Sequence, residues 1–384
     1  MSIEKNEVLT TPCKNAAIGG EFWELFPVTV KGLTDAVGSE YSGFAAAVLK
    51  GDRVLLKVRG GNSRDYSGTV YMNPDPKPLT DGTLFDLASL SKLVSTSMTA
   101  LKLFEGGILS PADTVGRFFD NAGAYRDVSL TGLMTHTSGL TPHIALYKKC
   151  SSPDEAVPTI LASEPLSAPG TRVHYSCMGY ILLKAILEKA TGKTLDVMAR
   201  DFVFRPLGMK NTCYNPSSAD VAATEYSPYE NRYIIGSVHD ENARFLGGVS
   251  GNAGVFSTLD DMISFGSMLS MRGKTKDGCY LSPRTFSEAV RDRTRGLGES
   301  RGLGFSLRDE NLLSAMGEFM SHGSYGHNGF TGTSLYCDAE TGITMILLTN
   351  AVHYGRDGRG PFFRHRRIFH NTALTEALKA SGHV

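Results

Sequence analysis

The chain has 384 residues, 41% hydrophobic and 20% charged, which suits a compact globular protein with a sizeable core. Lys plus Arg and Asp plus Glu both number 39, so the formal net charge is +0, and no global field favours nucleic acid or an anionic membrane surface. No apolar run reaches the roughly 18 residues of a membrane span, and the N-terminus lacks a signal-peptide pattern. We expect no nucleic-acid partner and no membrane span. The sequence as it stands favours a cytoplasmic location. If a leader peptide had been removed from it, a periplasmic or secreted location would be expected instead.

The cysteine pattern and the missing motifs limit the chemistry further. The six cysteines are scattered without a Cys-x-x-Cys pair, so we expect neither a zinc site nor a disulfide framework, and a reducing compartment is the simpler expectation. Gly-x-Ser-x-Gly, His-Glu-x-x-His and the glycine-rich phosphate loop are all missing from the sequence. We therefore predict no metal and no cofactor, and the oligomeric state stays open.

Secondary-structure signals alternate along the chain between helix-like and strand-like segments. Tight-turn residues Gly51-Asp52 join the first two strands, which predicts an antiparallel hairpin. The predicted segments, in chain order, are a helix within 21–37, strands at 44–50 and 53–58, helices at 89–105, 130–135, 179–190 and 259–271, strands at 302–307, 329–337 and 343–348, and a helix at 364–379.

Strands therefore cluster at both ends of the chain, and helices lie between them. This order predicts an α+β fold, in which an antiparallel β-sheet is flanked by N- and C-terminal helices and carries a mostly helical insert domain. The sheet domain would be discontinuous, with residues 20–88 and 290–384, and the helical domain would span 89–289. We expect the active site at the junction of the two.

Ser89 and Lys92 lie three residues apart where a helix is predicted to begin. Residues at i and i+3 share a helix face, so Lys92 can reach the Ser89 hydroxyl. A helix N-terminus also favours the negative charge that a carbonyl oxygen develops during acyl transfer. A capping serine followed by a solvated lysine gives the same pattern, so the pair alone is weak evidence.

Two later elements are possible companions of this pair. Tyr175-x-Cys177 precedes an apolar helix, and a nearby ammonium would favour the phenolate form of a tyrosine. His327-Asn328-Gly329 adjoins a terminal strand, where glycine lets a ligand approach the backbone. Taken singly, Tyr175 is better explained as an aromatic anchor of a helix start, and His327 as a hydrogen-bonded histidine at a strand end.

In this order the three elements resemble the serine β-lactamase and penicillin-binding protein superfamily, whose pattern is Ser-x-x-Lys, Tyr-x-Asn or Ser-x-Asn, and Lys-Thr-Gly or His-x-Gly. The stretches 136–140, 206–209 and 251–258 also resemble structural signatures of that superfamily. The resemblance implies a β-lactamase/transpeptidase-like fold. Its class C β-lactamase-like branch includes β-lactamases, D-stereospecific peptidases, esterases and acyltransferases, so the fold does not choose among them.

The resemblance also implies roles for individual residues. Ser89 would form an acyl-enzyme, Lys92 and Tyr175 would relay the proton, and the backbone N–H groups of Ser89 and Phe330 would form the oxyanion hole. A stretch at 236–243 resembles a segment of members that act on cell-wall peptides. The expected substrate-binding residues are Cys177, His327, Asn328, Gly329, His239 and Asp240.

For His239 and Asp240, a structural network is an equally good explanation, since no third metal ligand has suitable spacing. Likewise, His136 and Ser138 resemble a capping turn and are assigned no chemistry. The basic run at 364–367 is more typical of a solvated helix face than of a binding site.

Two departures from the family pattern bear on the substrate. Cys177 stands where the family has Asn, so a side-chain amide is missing, and His327 stands where many members have Lys. These changes favour small esters or D-amino-acid-containing peptides and amides as substrates of a serine hydrolase. The alternatives are a β-lactamase or penicillin-binding carboxypeptidase, or a non-catalytic binding or assembly protein. Cys177 as a nucleophile or redox switch has only its proximity in its favour.

Overall fold

The computed structural model describes residues 15–67, 74–309 and 314–381. Its strands are β1 Ala17–Gly19, β2 Gly43–Lys50, β3 Arg53–Tyr66, β4 Pro74–Pro78, β5 Phe85–Asp86, β6 Cys213–Tyr214, β7 Tyr226–Ser227, β8 Arg232–Tyr233, β9 Val255–Ser257, β10 Lys274–Thr275, β11 Gly278–Cys279, β12 Ser306–Leu307, β13 Tyr325–Asn328, β14 Ser334–Cys337 and β15 Ile343–Thr349.

Its α-helices are α1 Pro27–Asp35, α2 Met98–Glu105, α3 Leu130–Met134, α4 Leu146–Lys149, α5 Ala156–Leu161, α6 Cys177–Thr191, α7 Leu195–Ala199, α8 Glu241–Phe245, α9 Leu259–Ser270, α10 Pro283–Ala289 and α11 Gly360–Ser381. Short 3₁₀ turns cover Trp23–Leu25, Ala88–Leu90, Val115–Arg117, Gly123–Tyr125 and Pro153–Glu155, and π-helical turns cover Lys92–Ser97 and Arg200–Phe204.

The central element is an antiparallel eight-stranded sheet with the order β1-β3-β2-β15-β14-β13-β12, in which β4 pairs with β3. The predicted first hairpin is confirmed, because β2 and β3 pair antiparallel with Lys50 opposite Arg53. At its turn Gly51 has φ +65°, a conformation that glycine adopts without steric cost. The pairing of β15 with β2 then joins the two ends of the chain in one sheet.

Helices cover both faces of this sheet. Side chains of a strand alternate between its faces, and in β2 both sets are apolar. Positions 44, 46 and 48 belong to the core that includes α1 and α11, whereas positions 45, 47 and 49 belong to the core that includes α9. The predicted α+β fold, with N- and C-terminal helices flanking an antiparallel sheet, is therefore confirmed.

Several predicted boundaries are wrong. The strand predicted at 302–307 is reduced to β12, and the one predicted at 329–337 is interrupted by a turn before β14. In that turn the Gly329 N–H donates to the Thr333 carbonyl (2.7 Å), and Gly332 has φ +113°. The last helix is longer than predicted, whereas the first, Pro27–Asp35, lies within the predicted range 21–37. The division into two domains stays a prediction.

Within the described residues, no helix combines the length and the apolar character needed to cross a bilayer.

Gly251 is needed for the close packing of the loop before β9 against α6. A Cβ at this position would lie 1.9 Å from the Tyr180 carbonyl oxygen, so an alanine forces one of the two backbones to move. We expect Gly251→Ala to lower the free energy of unfolding by about 1–3 kcal/mol in urea denaturation.

Gly32→Ala is the matched control, because no described atom lies within 4 Å of a Cβ at Gly32 in α1. Alanine is the better helix former, so this change should raise stability by about 0.5–1 kcal/mol. Equal effects of the two substitutions would contradict the packing argument.

Candidate active site

Ser89 and Lys92 are in hydrogen-bond contact, as their spacing predicts. The Lys92 side chain is fully buried, and its Nζ donates to Ser89 Oγ at 2.9 Å, to the Asn252 carbonyl at 2.9 Å and to Cys177 Sγ at 3.5 Å. Three acceptors match the three N–H donors of an ammonium. The Lys92 side chain thus joins the serine to two other segments of the chain.

The backbone around this pair differs from the continuous helix predicted over 89–105. Ser89 lies in a 3₁₀ turn, Lys92 begins a π-helical turn, and α2 follows only at Met98. Buried hydroxyl groups of the π-helical turn bond to neighbouring segments. Ser95 accepts from the Tyr214 hydroxyl at 2.8 Å, and Thr96 donates to the Gly251 carbonyl at 2.8 Å. Such π turns occur frequently at functional sites.

The charge of Lys92 is set by two opposing effects. Burial lowers the pKa of its ammonium, whereas the ionisable Cys177 thiol and Tyr175 hydroxyl beside it raise that pKa, and the balance lies above the ordinary value. Lys92 is therefore a cation and a hydrogen-bond donor at neutral pH.

Two cations lie against the ring of Tyr175. The Lys92 Nζ is 5.0 Å and the Arg301 Cζ 5.4 Å from the centre of that ring, distances at which a cation is attracted to an aromatic face. The His136 ring packs at 4.5 Å, and its Nδ1 accepts from the Ser176 N–H at 3.1 Å. Burial holds the pKa of His136 well below its usual value, so this ring is a neutral support for Tyr175.

Asp86 is a site residue that the sequence analysis missed. Its buried carboxylate accepts from the Ala88 N–H at 2.8 Å and from the His239 N–H at 2.7 Å, so it connects the serine turn to the segment that bears His239. Burial raises the pKa of Asp86. Arg301 was missed as well. Neither residue belongs to a motif, and an isolated Asp or Arg in the sequence carries no signal.

The turn after β13 is bonded directly to the serine turn. Thr331 donates to the Asp86 carbonyl at 2.7 Å, and Thr333 donates to the Leu87 carbonyl at 2.9 Å. A Cβ on Gly329 would lie 2.2 Å from the Leu87 carbonyl oxygen, so the close approach requires glycine. Among the described residues, the Phe330 N–H has no hydrogen-bond acceptor. This amide is therefore free to donate.

His327 presents an acceptor and not a donor. Its Nδ1 lies 2.8 Å from the Asn328 carbonyl and so carries the hydrogen, while no described residue partners the buried Nε2. Burial lowers the pKa of His327 to about 3, so the ring is neutral. This arrangement suits an N–H or O–H group of a ligand better than a carboxylate or carbonyl, neither of which can donate a hydrogen bond. The Oδ1 atom of Asn328 accepts a hydrogen bond from the Tyr336 hydroxyl at 2.8 Å.

His239 and Asp240 both line a cleft of about 270 Å³ that also includes Ser89 and the exposed ring of Phe330. Both belong to a structural network too: His239 Nε2 lies 2.7 Å from a Glu225 carboxylate oxygen, and Asp240 accepts from the Ala243 N–H at 2.8 Å at the start of α8. The structural network is therefore present, and a substrate-binding role for the two residues stays a prediction. No group of three His, Cys, Asp or Glu in the described ranges could hold a metal ion.

The basic run at 364–367 is only partly a solvated face. Arg364 is exposed, but Arg366 is 5% exposed and packs against Phe362 and Phe363, because this side of α11 turns towards the protein.

A serine bonded to a buried lysine, where an antiparallel sheet meets a helical region, defines a serine hydrolase of the β-lactamase type. The Beta-lactamase family model matches residues 32–367, and the chain belongs to that family.

Two relatives and one solved structure agree with this assignment. The chain is 29% identical over 353 residues to an "N-acetylmuramyl-L-alanine amidase" of Bacillus subtilis (strain 168), covering 83% of this chain and 79% of that protein. It is 28% identical over 357 residues to a "Putative D-alanyl-D-alanine carboxypeptidase" of Escherichia coli (strain K12), covering 84% and 81%. A penicillin-binding protein homolog from Caulobacter crescentus has the same fold, with TM-score 0.71 at 17% identity over 94% of this chain and 100% of that chain.

The buried neutral His327 makes stability depend on pH. Its pKa is about 3 in the folded state against an ordinary 6.5, so its contribution is present above pH 6.5 and is lost as the pH falls towards 3. Between pH 7.5 and 4.5 the wild type should lose about 2–3 kcal/mol through this group. His327→Gln does not titrate, so urea unfolding should show a smaller loss in that variant.

His322 is an exposed histidine on the segment before β13, and His322→Gln is the control, expected to keep the wild-type pH dependence. The same pH dependence in His327→Gln would contradict the assignment of a buried neutral ring.

Proposed function

We propose that Ser89 is the nucleophile of this hydrolase and forms an acyl-enzyme. The observation that carries the proposal is the contact of 2.9 Å between Ser89 Oγ and the buried ammonium of Lys92. A buried cation beside the serine oxygen stabilises the alkoxide that develops as the hydroxyl proton leaves. Ser89 itself is half-buried and lines the cleft, so a substrate can reach it.

In this mechanism Tyr175 acts as a phenolate, and its oxygen accepts the proton that leaves Ser89 Oγ. The three N–H groups of the Lys92 ammonium already donate to three acceptors. Lys92 therefore stabilises the negative charge that develops on Ser89 and does not act as the first base. Tyr175, between Lys92 and Arg301, takes the proton and passes it to the leaving group, and the free N–H of Phe330 acts with that of Ser89 on the oxyanion. Water or another acceptor then releases the acyl group.

The substrates we propose are small esters or short peptides and amides that contain D-amino acids. The amidase and carboxypeptidase names of the relatives support an amide-type substrate. Cys177 contacts Lys92 at 3.5 Å, as a side chain at the family's Asn position should, but a thiol offers a substrate carbonyl no strong donor. β-Lactams, whose binding would use that donor, rank lower.

We further propose a reducing compartment for the protein. The five cysteines that the structure describes are all free, and Cys150 and Cys337 are buried among apolar side chains. Thiols in these positions suit a compartment that keeps them reduced.

The nucleophile is tested by covalent labelling. Incubation with a fluorophosphonate followed by intact-mass measurement should add one probe per wild-type chain and none to Ser89→Ala. Lys92→Ala should lower hydrolysis of p-nitrophenyl acetate by at least about 100-fold, with folding checked by circular dichroism.

Lys184→Ala is the matched lysine control, since among the described residues the Lys184 ammonium pairs with Glu188 alone, an i,i+4 pair on α6, and its loss should be nearly neutral. Labelling that persists in Ser89→Ala would overturn the assignment of the nucleophile.

The role of Cys177 in substrate choice is tested by restoring the amide. Cys177→Asn should raise kcat/KM for nitrocefin about two- to tenfold, because one net hydrogen bond to a substrate carbonyl is worth about 0.5–1.5 kcal/mol. Cys279→Asn, at an exposed cysteine, is the control and should leave nitrocefin turnover unchanged. A fall in nitrocefin turnover in Cys177→Asn would count against this account of the substrate preference.

A further inference from the structure

Arg359 is a buried guanidinium without a protein partner. It is 7% exposed, and its Nε and both terminal nitrogens have no hydrogen-bond partner among the described residues. The Glu225 carboxylate acts on this charge from a distance but makes no hydrogen bond to it, and a buried charge without hydrogen-bond partners costs several kcal/mol. The side chain is enclosed by aromatic rings, with its Cζ 4.8 Å from the ring centre of Phe330 and 5.2 Å from those of Phe362 and Phe363. Such contacts recover only part of the cost.

Other basic side chains on this side of Ser89 already have acidic partners. Arg356 donates to Glu225 at 2.8 Å and to Glu241 at 2.8 Å, and His239 lies 2.7 Å from the same Glu225. These two residues line the cleft but have little capacity left for an anion. Arg359, by contrast, retains all of its donors.

The position of Arg359 adds to its positive field. It directly precedes α11, a helix of 22 residues whose N-terminus carries a partial positive charge. Burial and the neighbouring Arg366 lower the pKa of Arg359 to about 10, so it remains charged at neutral pH. An anion placed here would meet the Arg359 guanidinium and a helix N-terminus, and the charge of Arg366 would add to the positive potential.

The Phe330 ring contacts both Arg359 and a wall of the cleft. The Arg359 Cζ lies 4.8 Å from its centre, and the ring of His239, which lines the cleft, is nearly parallel to it at 5.7 Å. The ring is 47% exposed, so it has room to turn towards solvent by a change of rotamer. Such a change would bring the guanidinium closer to an occupant of the cleft.

The cleft that contains His239 and Phe330 lies on the side of Ser89 that would hold the acyl group of the substrate. In the mechanism proposed above, the leaving group departs next to its proton donor, Tyr175, and Tyr175 does not line the cleft that contains Ser89, His239 and Phe330. The acyl part of the substrate would therefore lie in this cleft, next to the Phe330 ring.

We propose that Arg359 binds a carboxylate at the far end of the substrate's acyl group, and that the Phe330 ring covers this subsite until such a substrate enters. The inference rests on the proposed function, since it assigns the acyl side from the roles of Ser89 and Tyr175. A guanidinium with free donors pairs with a carboxylate through two parallel hydrogen bonds.

A pair of esters tests the proposal. Mono-p-nitrophenyl glutarate carries a distal carboxylate and p-nitrophenyl butyrate does not, so the ratio of their kcat/KM values reports on the subsite alone. Arg359→Met should lower this ratio about ten- to a hundredfold, because a charged hydrogen bond is lost. Arg364→Met, on the exposed face of α11, is the matched control and should leave the ratio unchanged. Phe330→Ala should raise the ratio, because the cover is removed.

An unchanged ratio in folded Arg359→Met, or equal losses on both esters, would overturn the proposal. Should Arg359→Met not fold, an unchanged or lowered ratio in Phe330→Ala would overturn it equally. A binding measurement separates the subsite from catalysis: by calorimetry, Ser89→Ala protein should bind monomethyl glutarate, and Ser89→Ala with Arg359→Lys should bind it more weakly. Binding without ester hydrolysis in the wild type would refute the proposed function alone, and no binding would refute the subsite.

Discussion

The buried ammonium of Lys92 is the constraint on which the site depends. A cation removed from water costs several kcal/mol unless its protons are hydrogen-bonded, and here the acceptors come from three segments: Ser89, Cys177 and the carbonyl of Asn252. The loop before β9 and the start of α6 must therefore approach the serine turn closely. The bonds that compensate the buried charge are the same bonds that orient Ser89, the proposed nucleophile.

The sheet contributes through the turn that follows β13. Thr331 and Thr333 bond to the carbonyls of Asp86 and Leu87, so the edge of the sheet and the serine turn share hydrogen bonds. This connection brings the Phe330 amide towards Ser89. Two loops without such shared bonds would hold the amide and the serine in a less defined arrangement. Asp86 continues the same chain of bonds to His239 and thereby fixes the far wall of the cleft. Preorganised donors of this kind need no rearrangement during reaction.

Local patterns predicted the parts of the molecule that local geometry determines. The hairpin at Gly51-Asp52 and the contact between Ser89 and Lys92 follow from turn chemistry and from i,i+3 spacing. Asp86 and Arg301 acquire their importance only from burial and from partners distant in the sequence, so no pattern indicated them. A run of charged residues is typical of a solvated helix face, so the sequence predicts an exposed Arg366. The packing of α11 against the protein buries this residue instead.

The neutral His327 bears on the choice among acyl substrates. Its Nδ1 hydrogen is committed to the Asn328 carbonyl, so Nε2 offers a lone pair beside Tyr175, with the two ring centres 6.0 Å apart. The nitrogen of a β-lactam ring bears no hydrogen and could not use this acceptor, whereas a peptide or amide N–H could. A carboxylate, which many β-lactams carry, finds no hydrogen-bond donor at this nitrogen either. In the proposed function, the position that differs from the lysine of many relatives therefore supports secondary amides as substrates for a physical reason independent of Cys177.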